Sequence, residues 1–291
     1  MNKPKIEVAV VGAQKAASTS LHRYMAMHPA FTTHPKLEFT YFVRDEEFQQ
    51  GYDKAFSENF PEYHPGQKIL VKNVGLMYWK KAAERLHEHH PDMKLIAVLR
   101  HPAERAWSAF HYAQQMGVED LEDFEQALGA GPARFKNPID YGMVDYLGRG
   151  HYADQIRFLQ SLFPPANIMI VLQDELQSNP EEVLKKCFEF CGVDSTFKPD
   201  FSIRFNEAAK AKHPGFIRML KRNRTLRSVI GIFLPKGTRS KLMAKAGKAN
   251  RETIQKKPMD PGTRQKLVDY FRPLNDELSK LTGKDLTDWN Q

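Results

Sequence analysis

The sequence predicts an α/β fold with a central parallel β-sheet flanked by helices in three layers, and three observations carry that prediction. Four short apolar runs rich in Ile, Val and Leu lack polar alternation, the pattern of strands buried on both faces. Helical patterns fall between them, giving the strand–helix rhythm of a parallel sheet. Hydrophobic residues make up 41% of the 291 residues, with no repeat or low-complexity tract, which is enough for a full core.

The runs are Ile6 to Gly12, Lys68 to Lys72, Lys94 to Arg100 and Asn167 to Gln173. Helical spacing of apolar residues predicts helices over Ser18 to Met27, Trp79 to His89, Ala103 to Gln115, Val144 to Leu162 and Pro180 to Cys191. A last amphipathic helix is expected in "PGTRQKLVDYFRPLNDELSKL". Parallel sheets hold ligands at the carboxyl ends of their strands, so residues just after Val11, Val71 and Leu99 are the ones to inspect.

Charge is concentrated in one region. Between Lys210 and Lys257 there are 15 Lys/Arg and a single acid, Glu252, within a chain whose formal net charge is +8, so the remainder is net acidic. That stretch lacks strand periodicity, and residues 204–257 are expected to form a basic lid or excursion from a single domain spanning 1–291. Part of it, "FIRMLKRNRTLRSVIGIFL", has apolar residues at helical spacing and could meet an anionic membrane or a nucleic acid. No nucleic-acid motif accompanies it, and packing of its apolar side on the domain is the expectation. The N-terminal segment is too short in apolar residues for a signal sequence or a membrane span of roughly 20 residues. Cys187 and Cys191 lie four apart on a helical pattern with no ligand set for zinc, as buried thiols of a reducing compartment would. A soluble, cytoplasmic protein is the expectation. "HEHHPD", His87 to Asp92, is read as an exposed helix end and not a metal site.

After the first strand the chain reads Gly12, Ala13, Gln14, Lys15, Ala16, Ala17, Ser18, Thr19, Ser20. A triphosphate loop places its lysine late, after a glycine and before Ser or Thr, because backbone N–H groups must curl around several phosphates. Here the lysine comes early. What remains is a helix N-terminus at Ser18 to Ser20 and one ammonium, a cradle for a single phosphate or sulfonate-like group; an ordinary capped helix would show the same serines. In "LIAVLRHPAERAWSAF", Arg100 ends a buried strand and Ser108 follows on the next helix, so the two could clamp a dianionic phosphate.

These two segments together resemble the cofactor motifs of the sulfotransferases that use 3′-phosphoadenosine-5′-phosphosulfate (PAPS), most of all the heparan-sulfate-type and bacterial carbohydrate or natural-product members. The resemblance implies a P-loop-like fold. It implies that Gln14, Lys15, Ala16, Ala17, Ser18, Thr19 and Ser20 bind the 5′-phosphosulfate, that Arg100 and Ser108 hold the 3′-phosphate, and that the product is PAP, with no metal. Ala17 departs from the family's glycine. "HPKLEFTYF" is similar to the family's Glu-x-x-Phe-Phe pattern, which makes Glu38 the candidate base; His34 is the rival. Lys72 resembles a lysine beside the donor, although the residues after it depart from the family's turn. "GKANR" resembles the lid over the cofactor, which carries Lys248 and Arg251 into the donor site. The implied partner is a carbohydrate or small-molecule acceptor, sulfated on oxygen or nitrogen. Two other readings stand beside this one, a small-molecule kinase or P-loop NTPase and a non-catalytic anion- or membrane-binding protein. The oligomeric state is left open.

Overall fold

Apolar runs become strands where the pattern placed them. In the computed structural model, which describes residues 3–203 and 258–291 in full and the backbone of 209–211 and 251–253, β1 (Ile6–Gly12) leads through a loop into α1 (Ser18–Met25) and β2 (Phe31–Thr33). Two short helices, α2 (Asp45–Phe48) and α3 (Tyr52–Asn59), precede β3 (Lys68–Lys72), α4 (Lys80–His89), β4 (Lys94–Leu99) and α5 (Pro102–Gln115). Then come α6 (Phe124–Ala130), α7 (Pro138–Val144), α8 (Tyr152–Leu162), β5 (Ile168–Leu172), α9 (Gln173–Ser178), α10 (Pro180–Cys191), β6 (Ala209–Ala211), β7 (Arg251–Thr253) and α11 (Pro261–Thr282).

The central sheet has the order β2-β3-β1-β4-β5, every neighbouring pair parallel. From Ile69 to Val71 and from Leu95 to Leu99 every residue is fully buried, which explains the unbroken apolar runs; each such Leu, Ile or Val stabilises the fold by about 1.5–3 kcal/mol. From β1 the chain moves one way along the sheet to reach β3, and from β3 the other way to reach β4. Right-handed crossovers therefore put α1 and α4 on opposite faces, where α1 packs with α10 and α4 with α8. The reversal occurs at β1, so the carboxyl ends of β1, β3 and β4 frame the ligand-binding position of such a sheet.

Two compact units make up the chain, one of Met1–Arg105, Gly148–Asn206 and Gln265–Gln291, which holds this sheet, the other of Ala106–Leu147 and Glu207–Arg264. In the second unit Trp107, Phe110, Phe124 and Tyr146 form an aromatic cluster. Glu119, buried beside it, accepts from Tyr146 Oη at 2.8 Å and pairs with Arg134 at 2.5 Å. The backbones of β6 and β7 pair antiparallel, Ala209 opposite Thr253. The rest of the expected excursion at 204–257, Lys248 included, lies outside the described residues.

Two expectations need correction. The helix expected from Val144 to Leu162 is broken: α7 ends at Val144, a 3-10 turn occupies Gly148–Gly150, and α8 begins at Tyr152. Gly150 in that turn packs close to α11, since a Cβ there would fall 2.6 Å from the Phe271 ring, and glycine in a helical run also weakens it. The histidines read as an exposed helix end are half-buried. His89 Nε2 accepts from the Ile6 N–H and His90 Nδ1 lies 2.9 Å from the Ile6 carbonyl, so they tie α4 to the start of β1. Among the described residues no group of three or more His, Cys, Asp or Glu could hold a metal, and no helix is long and apolar enough to cross a membrane. Cys187 and Cys191 are free and buried, and burial pushes the Cys191 thiol up to about 12.

Candidate active site

The loop after β1 is built by close approach. A Cβ on Gly12 would fall 1.9 Å from Met77 Sδ, so any larger residue there would require that side chain to move. The Ala13 N–H donates to the Val98 carbonyl at 2.6 Å, stitching the loop to β4, and Ser18 Oγ donates back to the Ala13 carbonyl. Lys15 and Ala17 both have φ of 66°, in the left-handed region. Ala17 is the N-cap residue of α1, and its carbonyl accepts from the Ser20 and Leu21 amides. At the head of the helix the Ser18 and Thr19 amides have no helical carbonyl to bond, and the positive end of the helix lies there.

Ala17 is therefore in a conformation that suits glycine. Left-handed backbone costs an alanine roughly 1 kcal/mol or more. Ala17→Gly should stabilise the protein by about 1 kcal/mol, less the entropy of a freer unfolded chain. Urea denaturation checks this, and a destabilised variant would refute it.

Beside the loop stands an ion pair. Lys72, at the end of β3, is 1% exposed, and its Nζ donates to Glu38 Oε1 at 2.6 Å and to Thr19 Oγ1 at 2.8 Å. Glu38 Oε2 accepts from the Val74 N–H at 3.1 Å, leaving the carboxylate partly open to solvent. Residues 34–39 are anchored by aromatic packing: Phe39 and Phe42 are fully buried with ring centroids 5.9 Å apart. The backbone of Phe39 is tied to Lys72 and Asn73, because its N–H donates to the Lys72 carbonyl and its C=O accepts from Asn73 Nδ2. Burial raises the Glu38 carboxyl above its ordinary value, the Lys72 ammonium pulling the other way; burial lowers Lys72. Both directions ease proton exchange.

Arg100 follows β4, and its Nη1 donates to the Lys15 carbonyl at 3.3 Å, one of the bonds that join the two sequence motifs. Tyr152 Oη donates to the Arg100 carbonyl at 3.0 Å. Gln14 Oε1 accepts from Arg105, which is fully buried. Ala16 is buried, and its N–H donates to the Ala13 carbonyl. Ser108 is buried on α5, in the second unit. Arg251 lies in β7, described by its backbone alone.

Two arginines escaped the sequence reading. Arg105 is one charge in an amphipathic helical pattern. Arg149 sits in the turn that was read as helix; it donates to the Val74 carbonyl at 3.0 Å and lies over the Tyr78 ring. Its charge also acts on Glu38. The only sequence signal was an arginine between two glycines.

Burial, and next to it the charge of Lys72, holds His34 down to about 4; burial, then Lys5, does the same to His89. The ordinary value is 6.5, so between these limits the unfolded chain takes up protons that the folded chain refuses. Stability from these rings is complete above pH 6.5 and drains away as pH falls toward 4. From pH 7 to pH 5 the loss should be about 2 kcal/mol per ring, or roughly 10 °C in Tm for both. A Tm that stays flat over that range in calorimetry would contradict it.

A helix N-terminus and an early lysine stand beside a buried lysine–glutamate pair at the carboxyl ends of a parallel sheet, where such folds bind their ligands. The chain belongs to the sulfotransferase domain family, whose model matches residues 7–271. It is 26% identical over 96% of its length to the bifunctional heparan sulfate N-deacetylase/N-sulfotransferase 3 of Homo sapiens, and 25% identical over 97% to enzyme 1 of that name from Mus musculus. The chain spans 30% of the length of each. Its fold is that of a sulfotransferase from Alicyclobacillus acidocaldarius, with a TM-score of 0.71, 22% identity, and 99% of this chain and 100% of that one covered.

Proposed function

We propose that the chain moves the sulfuryl group of PAPS to a hydroxyl or amine of a carbohydrate or small-molecule acceptor, releasing PAP. The observation that carries this reading is the bridge made by Lys72, which ties Thr19 of the anion loop to Glu38. It sets the Glu38 carboxylate beside the start of α1, which supports a base next to an anion-binding loop, as in-line transfer needs. PAPS supplies an activated sulfuryl group. Glu38 removes the acceptor's proton, because a sugar hydroxyl attacks poorly until that proton leaves. Lys15 and the Ser18 and Thr19 amides face the charge that builds on the departing 5′-phosphate. Arg100 and Ser108 take the 3′-phosphate. In this reading Lys248 and Arg251 contribute charge for the donor, and residues 204–257 are a basic excursion from one catalytic domain. The names of the curated relatives support a glycan acceptor and transfer to nitrogen as well as oxygen. Two free, buried cysteines support a cytoplasmic setting.

A kinase reading would need a lysine followed by Ser or Thr, and Lys15 is followed by Ala16. Calorimetry tests the assignment. PAP should bind without magnesium and far more tightly than ADP, which lacks the 3′-phosphate. Arg100→Ala should weaken PAP by about 10- to 150-fold, the worth of a charged hydrogen bond, and leave ADP nearly unchanged. Equal affinity for PAP and ADP would overturn the reading.

A further inference from the structure

Strand β2 stops at Thr33, opposite Leu70 of β3, and the chain reaches Pro35 two residues later. Proline has no N–H to extend a ladder. A side chain takes over: His34 Nε2 accepts from the Lys72 N–H at 3.3 Å. On the other side of Glu38, the Phe39 N–H donates to the Lys72 carbonyl at 2.8 Å. The backbone of Lys72 is thus gripped at both polar groups by the residues that flank the carboxylate its ammonium binds.

The ring is wedged in place. It is 3% exposed, stacks on His22 of α1 with centroids 5.2 Å apart, and packs on Phe39 at 5.6 Å. His22 Nε2 in turn lies 2.7 Å from Thr33 Oγ1. One imidazole therefore joins α1, which carries Thr19, to the end of β3, which carries Lys72, and to the segment that carries Glu38.

We propose that His34 is a positioning residue of the transfer site, a neutral imidazole latch that fixes the end of β3 so that the Lys72 ammonium reaches Thr19 and Glu38 together. An Nε2 that accepts cannot carry the proton, so the neutral ring holds it on Nδ1, which has no partner at full hydrogen-bond geometry. The groups that act on the ring are Lys72 from β3, Lys36 from its own loop, and Arg23 and His22 from α1. Three of these are cations and the fourth becomes one on protonation; together with burial they outweigh the backbone of Lys36, whose hydrogen bond favours a charged ring. The lone pair a base would use is already engaged with the Lys72 N–H, which separates this role from proton abstraction.

The activity arm of the test rests on the proposed PAPS chemistry, and a second arm does not. His34→Leu, which keeps bulk and loses the acceptor, should lower kcat about 10- to 100-fold, the cost of a small misplacement of reacting groups, with little change in KM for PAPS. His34→Gln restores an acceptor and should recover most of that loss. Leu and Gln variants that behave alike, both active or both equally impaired, would overturn the latch. Should the Leu variant not fold, histidine ¹⁵N shifts of the wild-type protein decide: a neutral, Nδ1-protonated ring from pH 7 to pH 5 is expected. A charged ring or an Nε2-protonated one at pH 7 refutes the proposal. Wild-type protein that transfers nothing from PAPS would sink the functional reading alone, since the shifts report on His34 without turnover.

Discussion

Glu38→Gln should lower the rate of sulfuryl transfer by about 10²- to 10⁴-fold, the usual contribution of a placed general base. Donor binding should be nearly unchanged. The amide has the shape of the carboxylate and can still accept from the Val74 N–H, which Glu38 Oε2 does at 3.1 Å. What it cannot do is take a proton. The buried Lys72 loses its anionic partner, so a modest fall in stability should accompany the loss of rate. Single-turnover transfer from labelled PAPS, with PAP calorimetry as the binding control, separates the two effects. A Glu38→Gln enzyme that keeps its rate would assign proton removal to another group.

Lys15→Ala should cost about 10²- to 10³-fold in kcat, comparable to removing one preorganised donor from a developing anion. The backbone gives a clean comparison. Residue 15 has φ of 66°, and an alanine already occupies that conformation two positions on, at Ala17. Truncation removes the ammonium without asking for a new chain path. Arg100 donates to the carbonyl of residue 15, a contact any residue there preserves. A rise in KM for PAPS with kcat intact would mean that Lys15 serves binding alone, and unaffected turnover would remove it from the site.

Much of the scaffold was legible because its signal is local. β1, β3, β4 and β5 are apolar runs bounded by charged residues, side-chain amides or glycine, and the structure returns them to within a residue or two. The loop between β1 and α1 was visible as a glycine, an early lysine and a cluster of hydroxyls. Three residues of β2 are too few to show a period, and α2 and α7 are similarly short. In the break before α8, Gly150 lies close to Phe271, a proximity that no window of sequence contains.

The site divides the same way. Glu38 and Lys72 were both singled out by resemblance, yet nothing in a linear string says that they touch. Their bond crosses 34 residues and exists because Phe39 and Asn73 tie the two segments together. Arg105 and Arg149 were missed because charge on a helix or beside a glycine ordinarily means surface. Their burial is set by neighbours far along the chain. Ala17 was noticed as a departure from glycine, and only the backbone angle shows why that position favours glycine.

The brevity of β2 bears on the protein's behaviour in solution. It is the outermost strand on its side of the sheet, three residues long and followed closely by a proline. An edge that short offers few unsatisfied groups to a neighbouring molecule, and the proline denies it the next donor. One donor of β3 that β2 leaves unpaired, the Lys72 N–H, is capped by an imidazole and so cannot recruit a strand from another copy. Resistance to edge-to-edge aggregation on this flank is thus a by-product of the arrangement that holds Lys72 against Glu38.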